Sequence, residues 1–99
     1  MNIHEHTKTL VAELKKLQFS PPVTHIYNPL EYAEKAHSLY LSRFGEKKGR
    51  VMLMGMNPGP WGMAQTGIPF GEIESVRSWI GIETPIGKPQ EEHPKRPVE

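Results

Sequence analysis

Cysteine is absent from this 99-residue chain, which removes disulfides, iron–sulfur clusters and thiolate zinc sites from its possible chemistry. Long apolar runs are absent too. The run Val51–Met56 is far shorter than the roughly 20 residues a membrane-spanning helix needs, and the first residues are polar rather than signal-like. A strong charge of one sign is also missing. Lys and Arg number 12 against 11 Asp and Glu, a formal net charge of +1, so any contact with nucleic acid must rest on a local patch. The reading is a soluble intracellular protein of one small domain. What the chain has in excess is turn formers: 10 Pro and 9 Gly make it loop-rich for its length. His4 and His6 form a conceivable ligand pair, but a frayed polar terminus explains them more simply.

Helical spacing puts Leu10, Val11, Leu14 and Leu17 on one face of Thr7–Leu17, within an N-terminal helical region, residues 1–20. Pro21 and Pro22 stop it. Val23–Tyr27 is β-rich and reads as a short extended segment. Asn28 then suits an N-cap, Pro29 the first helical position, and Glu31 a reciprocal capping box, opening a helix that runs to about Phe44 and stops at Gly45. Val51–Met56 is continuously apolar, the pattern of a strand buried on both faces of a parallel sheet. Glu74–Ile80 suggests a short helix with Val76, Trp79 and Ile80 inward. Residues 83–99 form a tail rich in Pro and charge. A single such strand needs neighbours on both edges, and the chain offers only one weak second candidate. The expected fold is therefore a partial α/β domain, truncated after its first half.

The informative stretch is the Gly/Pro loop at residues 55–72. A lone polar amide, Asn57, follows the apolar run at the carboxyl end of the expected strand, where open α/β sheets bind ligands. Proline stiffens the turn and glycine lets a ligand approach the backbone. Phe70 offers a flat stacking face, while Met56 and Met63 offer adaptable apolar walls. These residue types suit a pocket for a flat, polar, ring-shaped ligand. They equally suit a surface loop whose methionines serve the core. Glu72 could act as a base, although a loop-stabilising role fits it better. His25 and His37 read as structural. His93, Lys95 and Arg96 either contact phosphate groups of a partner or sit in a solvated, Pro-punctuated loop.

The segment Gly55–Glu72, GMNPGPWGMAQTGIPFGE, resembles motif 1 of the single-strand-selective monofunctional uracil-DNA glycosylases. The resemblance runs outward through Val23–Leu30, Val76–Ile82 and Glu92–Pro97, covering roughly residues 20–99. It implies a partial three-layer α/β/α uracil-DNA glycosylase-like fold with a parallel sheet. It places Asn57 as the asparagine that positions the attacking water, Met56 and Phe70 in the uracil pocket with Phe70 stacking on the flipped base, and Gly59 and Met63 as further lining. Trp61 departs from the phenylalanine usual there, aromatic for aromatic. The family's second pocket asparagine, its late histidine and its helical wedge would fall beyond residue 99.

On this resemblance the expected activity is hydrolysis of the N-glycosidic bond of uracil, and of oxidised pyrimidines, in single- and double-stranded DNA, as a base-excision repair step. The 99 residues alone are expected to be inactive. No lysine lies between Gly49 and Gly87, in accord with a monofunctional rather than a Schiff-base enzyme. No cofactor and no metal are expected. The partner is DNA containing uracil, the protein a monomer, and its location the nucleus in a eukaryote or the cytoplasm in a bacterium. The alternative is a non-catalytic nucleobase- or DNA-binding module using the same loop. Mismatch-specific thymine/uracil glycosylases share Asn-Pro-Gly but not the Met-Ala-Gln-Thr-Gly continuation. Asp-bearing uracil glycosylases fit less well, because Asn57 stands where their carboxylate would.

Overall fold

A capping box starts the first helix. In the computed structural model, which describes residues 2–45, 48–49 and 51–99, the Asn2 side chain accepts from Glu5 N at 3.0 Å and Glu5 Oε2 accepts from Asn2 N at 3.1 Å. Helix α1 therefore spans Ile3–Leu14, four residues earlier at its start than apolar spacing alone predicts and three shorter at its end. Its apolar face is only partly covered, since Leu10 remains about half exposed. Val11 lines a groove of about 310 Å³ against Leu30, His37 and Leu41.

Asn28 caps α2, Pro29–Tyr32, by accepting from Leu30 N at 3.2 Å, with Pro29 at the first position as expected. Glu31 does not complete a capping box. Its carboxylate lies 3.5 Å from the Lys15 ammonium and ties α2 to the end of α1. The expected long helix is broken at Ala33, whose φ of −112° and ψ of 30° leave the helical region. It resumes as α3, Glu34–Tyr40, and widens into a π-type turn, Leu41–Gly45. The break is where another part of the chain approaches. A β-carbon at Gly67 would stand 2.7 Å from Ala33 Cβ. A short helix α4, Met63–Thr66, and a second π-type segment, Ser75–Ile80, complete the regular structure among the described residues.

The core is small: Ala36, Ile68, Val76 and Ile82 are buried together, with Leu39, Tyr40, Ile80 and Ile86 packed against them. One inward expectation needs correcting. Trp79 is 84 % exposed, because in the widened segment Val76 is buried and Ile80 packs against the core while Trp79 points away from it. Val51–Met56 makes no strand ladder among the described residues, and its large apolar side chains are 78–99 % exposed. The physical reason is pairing. A strand apolar on both faces is stable only between two neighbours, and none of the described segments lies alongside it. No helix among the described residues is long and apolar enough to cross a membrane.

The tail at residues 83–99 is not a solvated appendage. Gly87 N donates to Tyr32 O at 2.8 Å, Tyr27 Oη donates to Arg96 O at 2.7 Å, and Val98 is only 2 % exposed. The tail folds back across α2 and α4.

Candidate active site

The loop divides into an exposed arm and a fixed turn. On the arm, Asn57 is exposed, and its amide donates only to the neighbouring Pro58 O, at 3.1 Å. The turn begins at Gly59, whose carbonyl accepts from Gly62 N at 3.1 Å and Ala64 N at 3.0 Å, and it leads directly into α4. Thr66 closes the turn's far side. Its hydroxyl donates to Gly71 O at 2.8 Å and accepts from Ile68 N at 3.2 Å, both buried.

Gln65 holds the turn to the tail. It is 2 % exposed; its Nε2 donates to Pro60 O at 3.0 Å and Pro97 O at 2.6 Å, and its Oε1 accepts from Glu99 N at 2.7 Å. A buried amide is tolerable only when its donors and acceptor are so satisfied.

Two side chains clamp α4 from the other side. Tyr32 donates its phenol to Ala64 O, and burial, assisted by Tyr27 and Glu92, pushes that phenol up to about 12, so it remains a donor at neutral pH. The buried His37 sets Nδ1 at 2.8 Å from Gly67 O. A carbonyl only accepts, so Nδ1 carries the proton. Burial lowers the imidazole below its ordinary 6.5, with the nearby His4 adding to the effect and the Gly67 bond opposing it. The neutral form is therefore the native one. Its contribution is complete above 6.5 and is lost as pH falls through the lowered native value, where the unfolded chain takes up a proton that the folded chain resists. The urea midpoint is expected to drop between pH 7.5 and pH 5, and His37→Gln is expected to flatten that dependence. An equal pH slope in both proteins refutes the clamp.

Phe70 occupies an unusual position. Gly71 N donates to Ile68 O at 2.8 Å, closing a four-residue turn with Pro69 second and Phe70 third, and Phe70 has φ +60°. Turns of this kind ordinarily place Gly or Asn there. A bulky residue in that conformation carries roughly 1–2 kcal/mol of strain. The ring is 67 % exposed and lies over the arm: a β-carbon at Gly55 would be 3.5 Å from both Phe70 Cε1 and Cζ. The ring thus lies near a residue two positions along the chain from Asn57. Strained residues persist where function retains them.

The remaining candidates fall on both parts of the loop. Gly59 and Met63 are half-buried at the start of the turn, and Met56 is 99 % exposed on the arm. None of Asn57, Met56, Gly59, Met63 and Phe70 lines the groove beside α1. Glu72 serves the loop. Its carboxylate accepts from Glu74 N at 2.8 Å, Ser75 N at 3.0 Å and Ser75 Oγ at 2.9 Å, bonds that hold it below the usual carboxylate range. His93, Lys95 and Arg96 sit together on a turn of the tail, apart from the Asn57 arm in sequence. Sequence reasoning missed Tyr32 and Gln65 as clamps. The helical spacing of Ala33, Ala36, His37 and Tyr40 does hint that His37 faces inward. Nothing local marks Gln65, whose tail partners are 32 and 34 residues away.

Asn57 on the exposed arm and Phe70 at positive φ beyond the fixed turn are the two distinctive side chains of the loop. The chain is related to uracil-DNA glycosylases. It is 52 % identical over 94 residues to the single-strand selective monofunctional uracil DNA glycosylase of Mus musculus, matching 95 % of this chain and 34 % of that protein. The Bos taurus protein of the same name is 54 % identical over 86 residues, 87 % of this chain and 32 % of its own length. The Rattus norvegicus protein is 52 % identical over 94 residues, again 95 % and 34 %. No protein-family model matches. Nearly all of this chain is thus homologous to one stretch of the single-strand selective monofunctional uracil-DNA glycosylase family, and it spans about a third of the length of the relatives it matches.

Proposed function

We propose that these residues supply the water-placing half of a monofunctional uracil-DNA glycosylase, which hydrolyses the N-glycosidic bond of uracil in DNA. The supporting observation is the Phe70 ring, held at positive φ over Gly55, two residues from an exposed Asn57. Dissociative cleavage makes the sugar cationic and the uracil anionic. A cationic C1′ takes up a water that is merely placed, so an amide suffices where a stronger base is unnecessary, and effective concentration supplies the rate. Stacking the flipped base on Phe70 returns ~1–3 kcal/mol of the cost of unstacking it, a cost that is least for single strands and mispairs. The larger demand, stabilising the departing anion, needs preorganised donors; Asn57 and Phe70 do not supply them.

The same reading gives Val51–Met56 its place. In a chain of the relatives' length it becomes an inner strand of a parallel sheet in a three-layer α/β/α domain, with Asn57 at its carboxyl end. The 99 residues by themselves are expected to bind without turnover.

A chimaera tests the proposal: residues 1–99 replace the matching stretch of the Mus musculus relative, and uracil release from a single-stranded oligonucleotide is measured. Turnover within about tenfold of the parent is expected. Phe70→Gly in that chimaera relieves the strained φ, so stability should hold to within about 1 kcal/mol, while KM for the uracil strand rises at least about tenfold. An inactive but folded chimaera defeats the proposal and favours the binding-module alternative.

A further inference from the structure

A second feature of the tail is unused by the loop chemistry. His93–Arg96 forms a tight turn closed by Arg96 N donating to His93 O at 2.9 Å, with Pro94 second in it and Pro97 directly after. One phenol pins both ends of it. Tyr27 Oη accepts from His93 N at 2.7 Å and donates to Arg96 O at 2.7 Å. The His93 ring meets the His25 ring edge-on, centroids 4.9 Å apart, and His25 Nδ1 is 2.9 Å from Thr24 Oγ1. His93 Nδ1 accepts from Lys95 N at 3.0 Å, which leaves Nε2 as the donor of that ring.

Two adjacent cations stand on this turn. Lys95 and Arg96 are exposed, and neither forms an ion pair among the described residues. Of the flanking carboxylates, Glu92 accepts from Val98 N at 2.9 Å through Oε1. Arg96 Nη1 folds back on Lys95 O at 2.8 Å, which restrains the guanidinium and leaves its other donors free. Residues 91–99 also carry Glu91, Glu92 and Glu99, so the contact rests on two adjacent exposed cations placed on a fixed turn and not on the net charge of the segment.

We infer that the Tyr27-pinned turn His93–Arg96, with His25 beside it, is a phosphodiester-backbone contact for single-stranded DNA, independent of base identity. Lys95 and Arg96 neutralise phosphates, and the imidazoles add donors. Two prolines and the phenol fix the turn in advance, so little ordering entropy opposes binding. The inference extends the glycosylase reading to its DNA partner, yet it stands on separate residues and separate contacts.

The test is fluorescence anisotropy of a labelled, uracil-free single-stranded oligonucleotide with the 99-residue chain, across roughly 50 to 200 mM salt. Removing one cation that neutralises a phosphate of a single strand flattens the plot of log K against log salt by about 0.7. Lys95→Ala and Arg96→Ala are each expected to flatten it by that amount, with the same effect on uracil-containing strands. Lys8→Ala, far along α1, is expected to leave it unchanged. Tyr27→Phe keeps every charge but frees the turn, so it is expected to weaken binding at least about threefold with the helical circular dichroism intact. An unchanged slope in the Lys95→Ala/Arg96→Ala double variant overturns the inference. So does displacement of the strand by an acidic peptide or by inorganic phosphate at equal charge. Uracil release by the chimaera is a separate readout. Absence of the slope effect with excision intact refutes this contact alone, and the reverse result refutes the glycosylase reading alone.

Discussion

Asn57→Ala in the chimaera is expected to lower the rate of uracil release on the order of 10²-fold, the scale on which losing the placement of a reactant costs rate. Affinity for the strand should stay within about twofold. The split follows from the geometry. Asn57 is exposed, and its amide bonds only to Pro58 O, so truncation removes no bond that holds the turn. The turn's integrity rests on Thr66, Gln65, Tyr32 and His37. Asn57→Asp keeps an acceptor oxygen for water and should fall less than Asn57→Ala. Single-turnover kinetics with uracil-containing single strands give both numbers. Equal losses in rate and affinity would reassign Asn57 to binding and remove the mechanism.

Local signals predicted local structure well here. Asn28 and Pro29 start a helix because a side-chain acceptor and a pre-set φ are complete within three residues. Asn2 and Glu5 carry an equally local signal, which apolar spacing beginning at Leu10 concealed. Features that depend on distant partners were not legible. Val51–Met56 reads as a buried strand because each residue is apolar or a glycine, but burial requires neighbours, and the described residues provide none. The tail is legible in the sequence only as charged and Pro-rich. Yet Tyr27, Gln65 and Tyr32 bind its backbone rather than its side chains, and composition carries no trace of that.

For the candidate site, residue types were legible and their support was not. Asn57 in a Gly/Pro turn stands out from any reading of the chain. The position of Phe70 is less obvious, because Ile68-Pro69-Phe70-Gly71 suggests a turn whose third residue should be Gly, and only the observed φ of +60° shows the aromatic retained there.

Gly67→Ala is expected to be the most damaging single change to the fold. Gly67 ends α4 at φ +74°, and a β-carbon there would fall 2.7 Å from Ala33 Cβ and 2.9 Å from Ala33 O. The left-handed conformation costs an alanine about 1–2 kcal/mol. Overpacking against a helix break that is itself fully buried adds about 1–3 kcal/mol. The sum is a large share of the roughly 5–15 kcal/mol that holds a domain of this kind together. It would also displace the Gly67 carbonyl from His37, loosening the turn under Phe70. Gly81→Ala is the control. Gly81 has nearly the same conformation, φ +77°, but nothing within 4 Å of a β-carbon, so it bears the conformational part alone. Urea denaturation of the two variants should therefore differ by the packing contribution. If they lose the same stability, the close approach of α4 to the break at Ala33 is not what holds the loop, and the clamp that aims Phe70 at the Asn57 arm must lie elsewhere.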